Sequence, residues 1–374
     1  MVVGLPKGTE NGHQPWQKFR RQLSGRLTRP RATQKTNMNA ISPRYPDAIA
    51  ATLLAGALCL TPAQCPSAET PGPGGAKEKS RKPVTVGFSQ IGAESGWRTA
   101  ETQSIRSEAA KRGVTLKFSD AQQKQENQIK ALGTFIAQRV DAIILAPVVE
   151  AGWEPVLKRA KAEKIPVILV DRGVNVSDDS LYTTLIASDF VAEGKMAGEW
   201  LAKKLNGKGN VVELQGTPGA APAIDRKKGF EEALKNFPDL KIIKSQTGEF
   251  TRAKGKEVTE AFLKSAQGGG AKIDAVYAHN DDMALGAIQA IEEAGLKPGT
   301  DILVVSIDGI RPAFDAMVAG KLNCTVECNP LLGPAAFDAV EAALAGKPLP
   351  KKTIVKDQIF DQTTAKDVIG TRQY

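Results

Sequence analysis

The chain has 374 residues and a formal charge of +9, and that charge is lopsided: residues 1–82 carry 13 Lys+Arg against 4 Asp+Glu, whereas residues 83–374 carry 37 of each sign. A body without net charge has no electrostatic footprint for nucleic acid. It is long enough for about two domains of ~100–200 residues each, and its one histidine, His279, leaves little material for general-base catalysis.

Residues 1–37 are rich in Arg, Gln and Pro and show no apolar period. From Met38 a second pattern begins: Arg44, an apolar run from Ala48 to Leu60, then the small residues Thr61–Pro62–Ala63. Charge, a short apolar core and small residues in that order predict a secretory signal starting at Met38, hence export to the periplasm. The run falls short of the ~20 apolar residues of a membrane span, so no stable membrane insertion is expected. Cys59 follows Leu58 and Cys65 follows Gln64, and neither suits a lipid anchor. Residues 66–82 are Pro-, Gly- and Lys-rich and read as a flexible leader.

The body opens with PVTVGFSQIGAESGWR, Pro83 to Arg98. Val84, Val86 and Phe88 alternate with Thr85 and Gly87 as in a strand, a polar glycine-bearing run follows, and a helical pattern takes over at Trp97. A buried strand that feeds a helix through a polar loop puts that loop at the carboxyl edge of a sheet, where open α/β sheets bind ligands. Ser89, Gln90, Glu94, Trp97 and Arg98 supply donors, acceptors and a flat apolar face there.

Further strands are expected at 114–118, 142–146, 167–170, 211–214, 273–278, 302–307 and 324–327, short runs rich in Val and Ile and apolar on both faces. Helical periodicity fills 97–112, 125–139, 154–164, 191–205, 224–236, 252–265 and 282–294, with Gly113 and Gly295 at C-cap positions. This alternation predicts an α/β protein of βαβ units and parallel sheets, with more strands than one sheet holds comfortably. The run LYTTLIASDF, Leu181–Phe190, reads as the first crossing between two lobes. Polar strand ends recur at Asp171–Arg172, Gln215–Gly216, His279–Asn280–Asp281 and Asp308–Gly309 and could meet in one cleft.

Each polar group also has a plainer role. Glu94 and Arg98 could be an exposed helical pair worth ~0.3–0.5 kcal/mol. Arg226 lies in the basic stretch DRKK, Asn280–Asp281 is a good helix N-cap, and Asp308–Gly309 could be a turn. Cys324 and Cys328, four apart on a strand, are ~13 Å from each other and read as separate buried thiols. No metal-binding spacing and no cofactor motif are present; GxGxxG after a strand, a P-loop, G-x-S-x-G and HExxH are all missing from the sequence.

The blocks GFSQIGAESGWR, QQKQENQIKAL, APVVEAGWEPVL, IPVILVDR, ELQGTPGAAPAIDRKKGF, FTRAKGKEV, YAHNDDMALGAIQAIEEAGLKPG and SIDG, spread from Gly87 to Gly309, resemble the periplasmic sugar-binding proteins of ABC importers, in the ribose- and galactose-binding group and nearest its galactofuranose-binding members. The resemblance covers residues 83–374. It implies two Rossmann-like lobes (the type I periplasmic binding fold) joined by three crossing segments, with a neutral, galactofuranose-like or galactose- or ribose-like monosaccharide closed between them and delivered to an ABC permease by a monomeric binding protein. The implied lobes are 83–186 plus 309–326 and 187–308 plus 327–374. The implied ligand-binding residues are Ser89, Glu94, Trp97, Arg98, Asp171 and Arg172 in the first lobe and Arg226, Asn280 and Asp308 in the second, with Asp308 at a crossing. CTVECNP is implied to be the third crossing; ribose binders carry a sugar-contacting Gln where Cys328 stands, and Glu327 could replace it. Trp97 or Phe88 would stack on the sugar ring. Rival readings are an α/β enzyme, a LacI-type sugar-responsive regulator, which would need an N-terminal helix-turn-helix in place of the export core, and a chemoreceptor ligand carrier.

Overall fold

The computed structural model describes residues 83–374; the export signal and leader read from residues 1–82 lie outside the described residues. The chain alternates as the apolar runs predict: β1 (Thr85–Gln90), α1 (Gly96–Lys111), β2 (Thr115–Asp120), α2 (Gln125–Ala137), β3 (Ala142–Leu145), α3 (Glu154–Ala162), β4 (Val167–Val170) and β5 (Thr184–Ser188) build one sheet with its helices. Then come α4 (Phe190–Lys204), β6 (Lys208–Gln215), α5 (Ala221–Leu234), β7 (Asp239–Thr247), α6 (Arg252–Gln267), β8 (Ala275–Ala278), α7 (Asp281–Glu293), β9 (Leu303–Asp308), α8 (Arg311–Val318) and β10 (Cys324–Glu327). The chain ends with α9 (Gly333–Leu344), β11 (Lys352–Val355), β12 (Ile359–Asp361) and α10 (Ala365–Val368).

Two six-stranded sheets result, ordered β11-β5-β4-β3-β1-β2 and β12-β10-β9-β8-β6-β7. The orders are equivalent, and each reverses direction around its first strand. That point is where the carboxyl ends open a crevice in a doubly wound sheet. The paired strands run parallel, except that β10 meets β12 antiparallel. In the first sheet alternate residues feed two cores. Ile144 and Ile168 pack toward α1 and α9, while Ile143, Leu145, Val167 and Leu169 pack toward α2 and α3. Gly87 lacks a side chain because Phe135 lies across it; a Cβ there would sit 2.5 Å from the ring.

The chain passes between the sheets three times, from β5 into α4, from β10 into α9, and from β11 into β12. The first passage falls within Leu181–Phe190, as the sequence indicates. The later ones correct the lobe boundaries. Residues 309–326 belong with the second sheet, because β10 pairs with β9 in register Glu327 to Asp308. Within 327–374, α9 packs on α1 and β11 pairs with β5, so those elements return to the first sheet. Asp308 therefore stands at a strand end inside the second lobe, not at a crossing, and CTVECNP leads into the second passage, not the third. The polar edge strands β7, β11 and β12 carry little apolar period to announce them, whereas α8 and α9 are amphipathic helices that the sequence reading leaves unassigned.

In the second lobe α4 and α5 cross in backbone contact. A Cβ on Gly194 would lie 2.1 Å from the Arg226 carbonyl oxygen, and one on Gly229 2.0 Å from that of Val191. Backbone cannot yield as a side-chain end can. Gly194→Ala is therefore expected to cost about 1–3 kcal/mol of stability and to displace Arg226, measurable by urea denaturation.

Candidate ligand-binding site

The strand ends of both sheets face one cavity with an empty volume of about 280 Å³, lined by Glu94, Ser95, Trp97, Arg98, Asp171, Arg172, Pro222, Arg226, Phe250, Asn280, Asp308 and Cys328.

The first lobe contributes from the loop after β1 and the end of β4. Ser95 caps α1, its hydroxyl accepting from the Arg98 amide at 3.1 Å. The cap leaves Glu94 in the loop and places Arg98 in the first helical turn. The two form a buried pair rather than an exposed one: Nε of Arg98 donates to Glu94 at 3.0 Å, with the side chains 3% and 2% exposed. Nη2 of Arg98 donates to Asp171 at 2.6 Å and Nη1 to Glu101, which also accepts from Gln90 at 3.0 Å. Burial alone would lower the Arg98 pKa, but the charges of Asp171, Glu101 and Glu94 outweigh it and hold the guanidinium well above its usual value. Next to it, burial and the positive charge of Arg98 draw Arg172 down to about 10, against the pull of Asp171. Arg172 Nη1 donates to the Val148 carbonyl at 2.9 Å, while its Nε and one oxygen of Glu94 find no hydrogen-bond partner. Unsatisfied buried donors and acceptors of this kind are what a polar ligand would complete.

The second lobe mirrors this design. Arg226 on α5 is buried, not part of a solvated face. It donates to Glu193 at 2.7 Å and to the His279 carbonyl at 2.6 Å, with Asp308 at 3.7 Å. Burial raises the Asp308 carboxyl well above the ordinary range, and the charge of Arg226 only partly offsets it. Asn280 both lines the cavity and caps α7, accepting from the Met283 amide at 3.0 Å. The cap is thus Asn280 itself; Asp281 lies deeper, bonded to Ser306, to Thr325 at 2.8 Å and to the Ile310 amide at 2.8 Å. His279 is a packed side chain, fully buried against Glu213 at 3.1 Å.

Asp171 and Asp308 hold positive φ, 62° and 131°. Such backbone costs ~1–3 kcal/mol for a residue with a side chain and tends to persist at functional sites.

The lobes touch across the cavity. The Gly96 amide donates to Asp282 at 2.7 Å, the Trp97 indole to the Cys328 carbonyl at 2.5 Å, and the Arg172 guanidinium lies 5.1 Å from the centre of the Phe250 ring. This is a closed cleft.

Of the residues named from sequence, Glu94, Trp97, Arg98, Asp171, Arg172, Arg226, Asn280 and Asp308 line this cavity. Ser89 does not. It is held inside β1 between Ser119 and Leu145, and its hydroxyl is buried without a partner. Phe88 is not a stacking surface either; it packs in the core with Phe118 at 5.6 Å. Glu327 is taken by Arg372 at 2.7 Å and Tyr374 at 3.0 Å and leaves the lining to Cys328. Cys324 and Cys328 are both free and buried, but Cys328 also faces the cavity. Phe250 is the aromatic that sequence reasoning passed over. The one local signal for it is the Thr251 cap of the following helix, which puts Phe250 in the loop just before a helix start.

Residues 86–348 match the family model of the periplasmic binding protein domain. The chain is 59% identical over 293 residues to the galactofuranose-binding protein of Escherichia coli, covering 78% of this chain and 92% of that protein. It is 34% identical over 275 residues to a ribose import binding protein of Bacillus subtilis, covering 73% and 85%. Among solved structures it resembles, at 58% identity and a TM-score of 0.75, the periplasmic binding component of the arabinose ABC transporter from Shewanella sp. ANA-3 bound to α- and β-L-arabinofuranose, over 78% of this chain and 96% of that one. With two equivalent sheets, three passages between them and a polar cavity at their shared edge, the chain belongs to the periplasmic binding protein domain family.

Proposed function

We propose that this protein captures a neutral monosaccharide in its furanose form between the two lobes and hands it to an ABC permease in the membrane, transforming nothing. The observation that carries the reading is the enclosed cavity, to which both lobes bring charged and amide side chains and an aromatic face. Sugars present several hydroxyls, each donor and acceptor. Asp and Asn meet these in pairs, and Arg donates as a planar fork. In a dry cleft a missing hydroxyl strands a buried polar group, which gives selectivity of several kcal/mol. The names of the relatives support a furanose: one is a galactofuranose-binding protein and another holds L-arabinofuranose.

Under this reading the sugar first engages one lobe, and closure then forms the Gly96–Asp282 and Trp97–Cys328 bonds and brings Phe250 over it. Trp97, with its indole nitrogen bonded and Arg98 stacked 4.7 Å from its ring centre, serves more as a wall than as a mobile lid. Export to the periplasm and a monomeric state belong to the same proposal. Among the described residues no helix is long and apolar enough to cross a membrane. A LacI-type regulator is disfavoured by the export pattern of residues 38–63.

Calorimetry with L-arabinose, D-galactose, D-fucose, D-ribose and D-galacturonate tests the proposal. Saturable heat is expected from neutral sugars that reach a furanose form and none from the anionic one. Binding of galacturonate alone, or release of a chemically altered sugar, would overturn it.

A further inference from the structure

Behind each cleft arginine stands a carboxylate that does not line the cavity. Glu101 on α1 accepts from Arg98, and Glu193 on α4 accepts from Arg226 at 2.7 Å; both side chains are fully buried. In each, the second oxygen accepts no N–H or O–H hydrogen bond among the described residues, and the polar group near that of Glu193 is the weakly donating thiol of Cys328. The two arginine clusters share a further property. Around Arg98 and Arg172 lie Glu94, Glu101 and Asp171; around Arg226 lie Glu193 and Asp308. Each cluster therefore holds one carboxylate more than it has guanidinium groups, and these side chains are no more than 5% exposed. An unbalanced buried anion is costly, and taking up a proton is the usual relief.

We propose that Glu101 and Glu193 are matched positioning residues, one in each lobe, that aim Arg98 and Arg226 into the cleft and each bind a proton through the unpaired oxygen when the cleft closes on sugar. This inference rests on the sugar-binding reading above. Glu101 faces Arg98, Asp171 and the amide of Gln90; Glu193 faces Arg226, Asp357 and the thiol of Cys328, with Asp308 on the far side of Arg226. Burial pushes Glu101 up to about 7 and Glu193 up to about 8, against the opposing charge of each arginine. Opening the cleft exposes the lining members Arg98, Asp171, Arg226 and Asp308 to water, which lessens the desolvation of Glu101 and Glu193 behind them and lets both fall from their raised values. The closed state thus holds more protons than the open one. Affinity must rise as pH falls through the interval from about 8 toward the ordinary range, and level off above it.

The test is calorimetry with L-arabinose near pH 7 in phosphate and in Tris, whose different ionisation heats count the protons exchanged. The wild-type protein is expected to take up between one and two protons per sugar, roughly, and to bind at least roughly fivefold more tightly at about pH 6 than at about pH 8.5. Glu101→Gln and Glu193→Gln keep the shape of the protonated acid, and each should lower the proton count and flatten the pH dependence. Glu101→Ala and Glu193→Ala should weaken binding at every pH, because the arginine loses its aim. Sugar binding without proton uptake in the wild type would sink the inference while leaving the sugar reading intact. So would full uptake in both Gln variants with its loss in Asp308→Asn, which would make Asp308 the carrier. No heat with any sugar at any pH would sink both. The wild-type measurement stands even if a variant fails to fold.

Discussion

Arg98→Ala is expected to abolish sugar binding and also to destabilise the folded protein. The second effect is larger than an exposed Glu94–Arg98 helical pair, the plainer role that the sequence allows, would give. Arg98 is the cation to which Glu94, Glu101 and Asp171 all bond. Removing it leaves three buried carboxylates with only Arg172 nearby. Breaking a buried ion pair by deleting one partner costs about 3–5 kcal/mol. The cost has a pH signature. Without Arg98 the charge that opposes the effect of burial on Glu101 is gone, so that carboxyl rises further and the folded state binds more protons than the unfolded one. The lost stability should therefore return as pH falls toward the ordinary carboxylate range, and be missing at neutral and higher pH. Urea denaturation of the variant at about pH 5 and about pH 8, alongside calorimetry, checks both parts. Unchanged affinity would remove Arg98 from the site. A stability loss equal at both pH values would mean that packing, not charge, is what Arg98 provides.

Asp308→Gly is expected to do the opposite to stability while also costing binding. The residue holds φ at 131°, a region that glycine enters freely. Its carboxyl is buried beside one guanidinium already paired with Glu193. Removing the side chain relieves backbone strain of ~1–3 kcal/mol, against an entropic penalty of ~0.5–1 kcal/mol for glycine in the unfolded chain. Because burial raises the carboxyl of Asp308 in the folded state, whatever it contributes to stability is present at low pH and lost as pH rises. The gain in the variant should accordingly grow with pH. Affinity should fall by roughly 100-fold, as befits a lost hydrogen bond that leaves a sugar hydroxyl unsatisfied in a dry site. Thermal melts against pH with a sugar titration would test this pair of effects. A lower melting temperature together with intact binding would contradict both halves.

The contrast between these two residues explains how much of the site can be read from residues alone. Strand ends announce themselves, since an apolar run that stops at Asp171–Arg172 or Asn280 marks a carboxyl edge wherever the sheet lies. That rule points to the loop after β1, the end of β4, the end of β8 and the end of β9, whereas Arg226, on α5, was named only through the family resemblance. The rule says nothing about which neighbour each residue will bond. That Arg98 reaches Asp171 as well as its helical neighbours, or that Arg226 is backed by Glu193 from a different helix, depends on contacts 73 and 33 residues apart in the chain. Ser89 follows the same local rule as Glu94, yet β1 continues through it, and pairing on both sides keeps it out of the lining. Phe250 was passed over because its loop lies past β7, a polar edge strand with little period to mark it. The lobe boundaries after Asp308 were misplaced for a related reason. A crossing is decided by which strand β10 pairs with, and that partner, β9, is chosen by sheet packing rather than by local pattern.

The most direct measurement is a crystal structure of the protein grown with saturating L-arabinose or D-galactose. The account predicts one sugar ring in the cavity against Phe250, its hydroxyls within hydrogen-bond reach of Glu94, Asp171, Arg172, Asn280 and Asp308, in the furanose form. A cavity without sugar under those conditions, or a sugar seated elsewhere while these side chains bond only to one another, would contradict it.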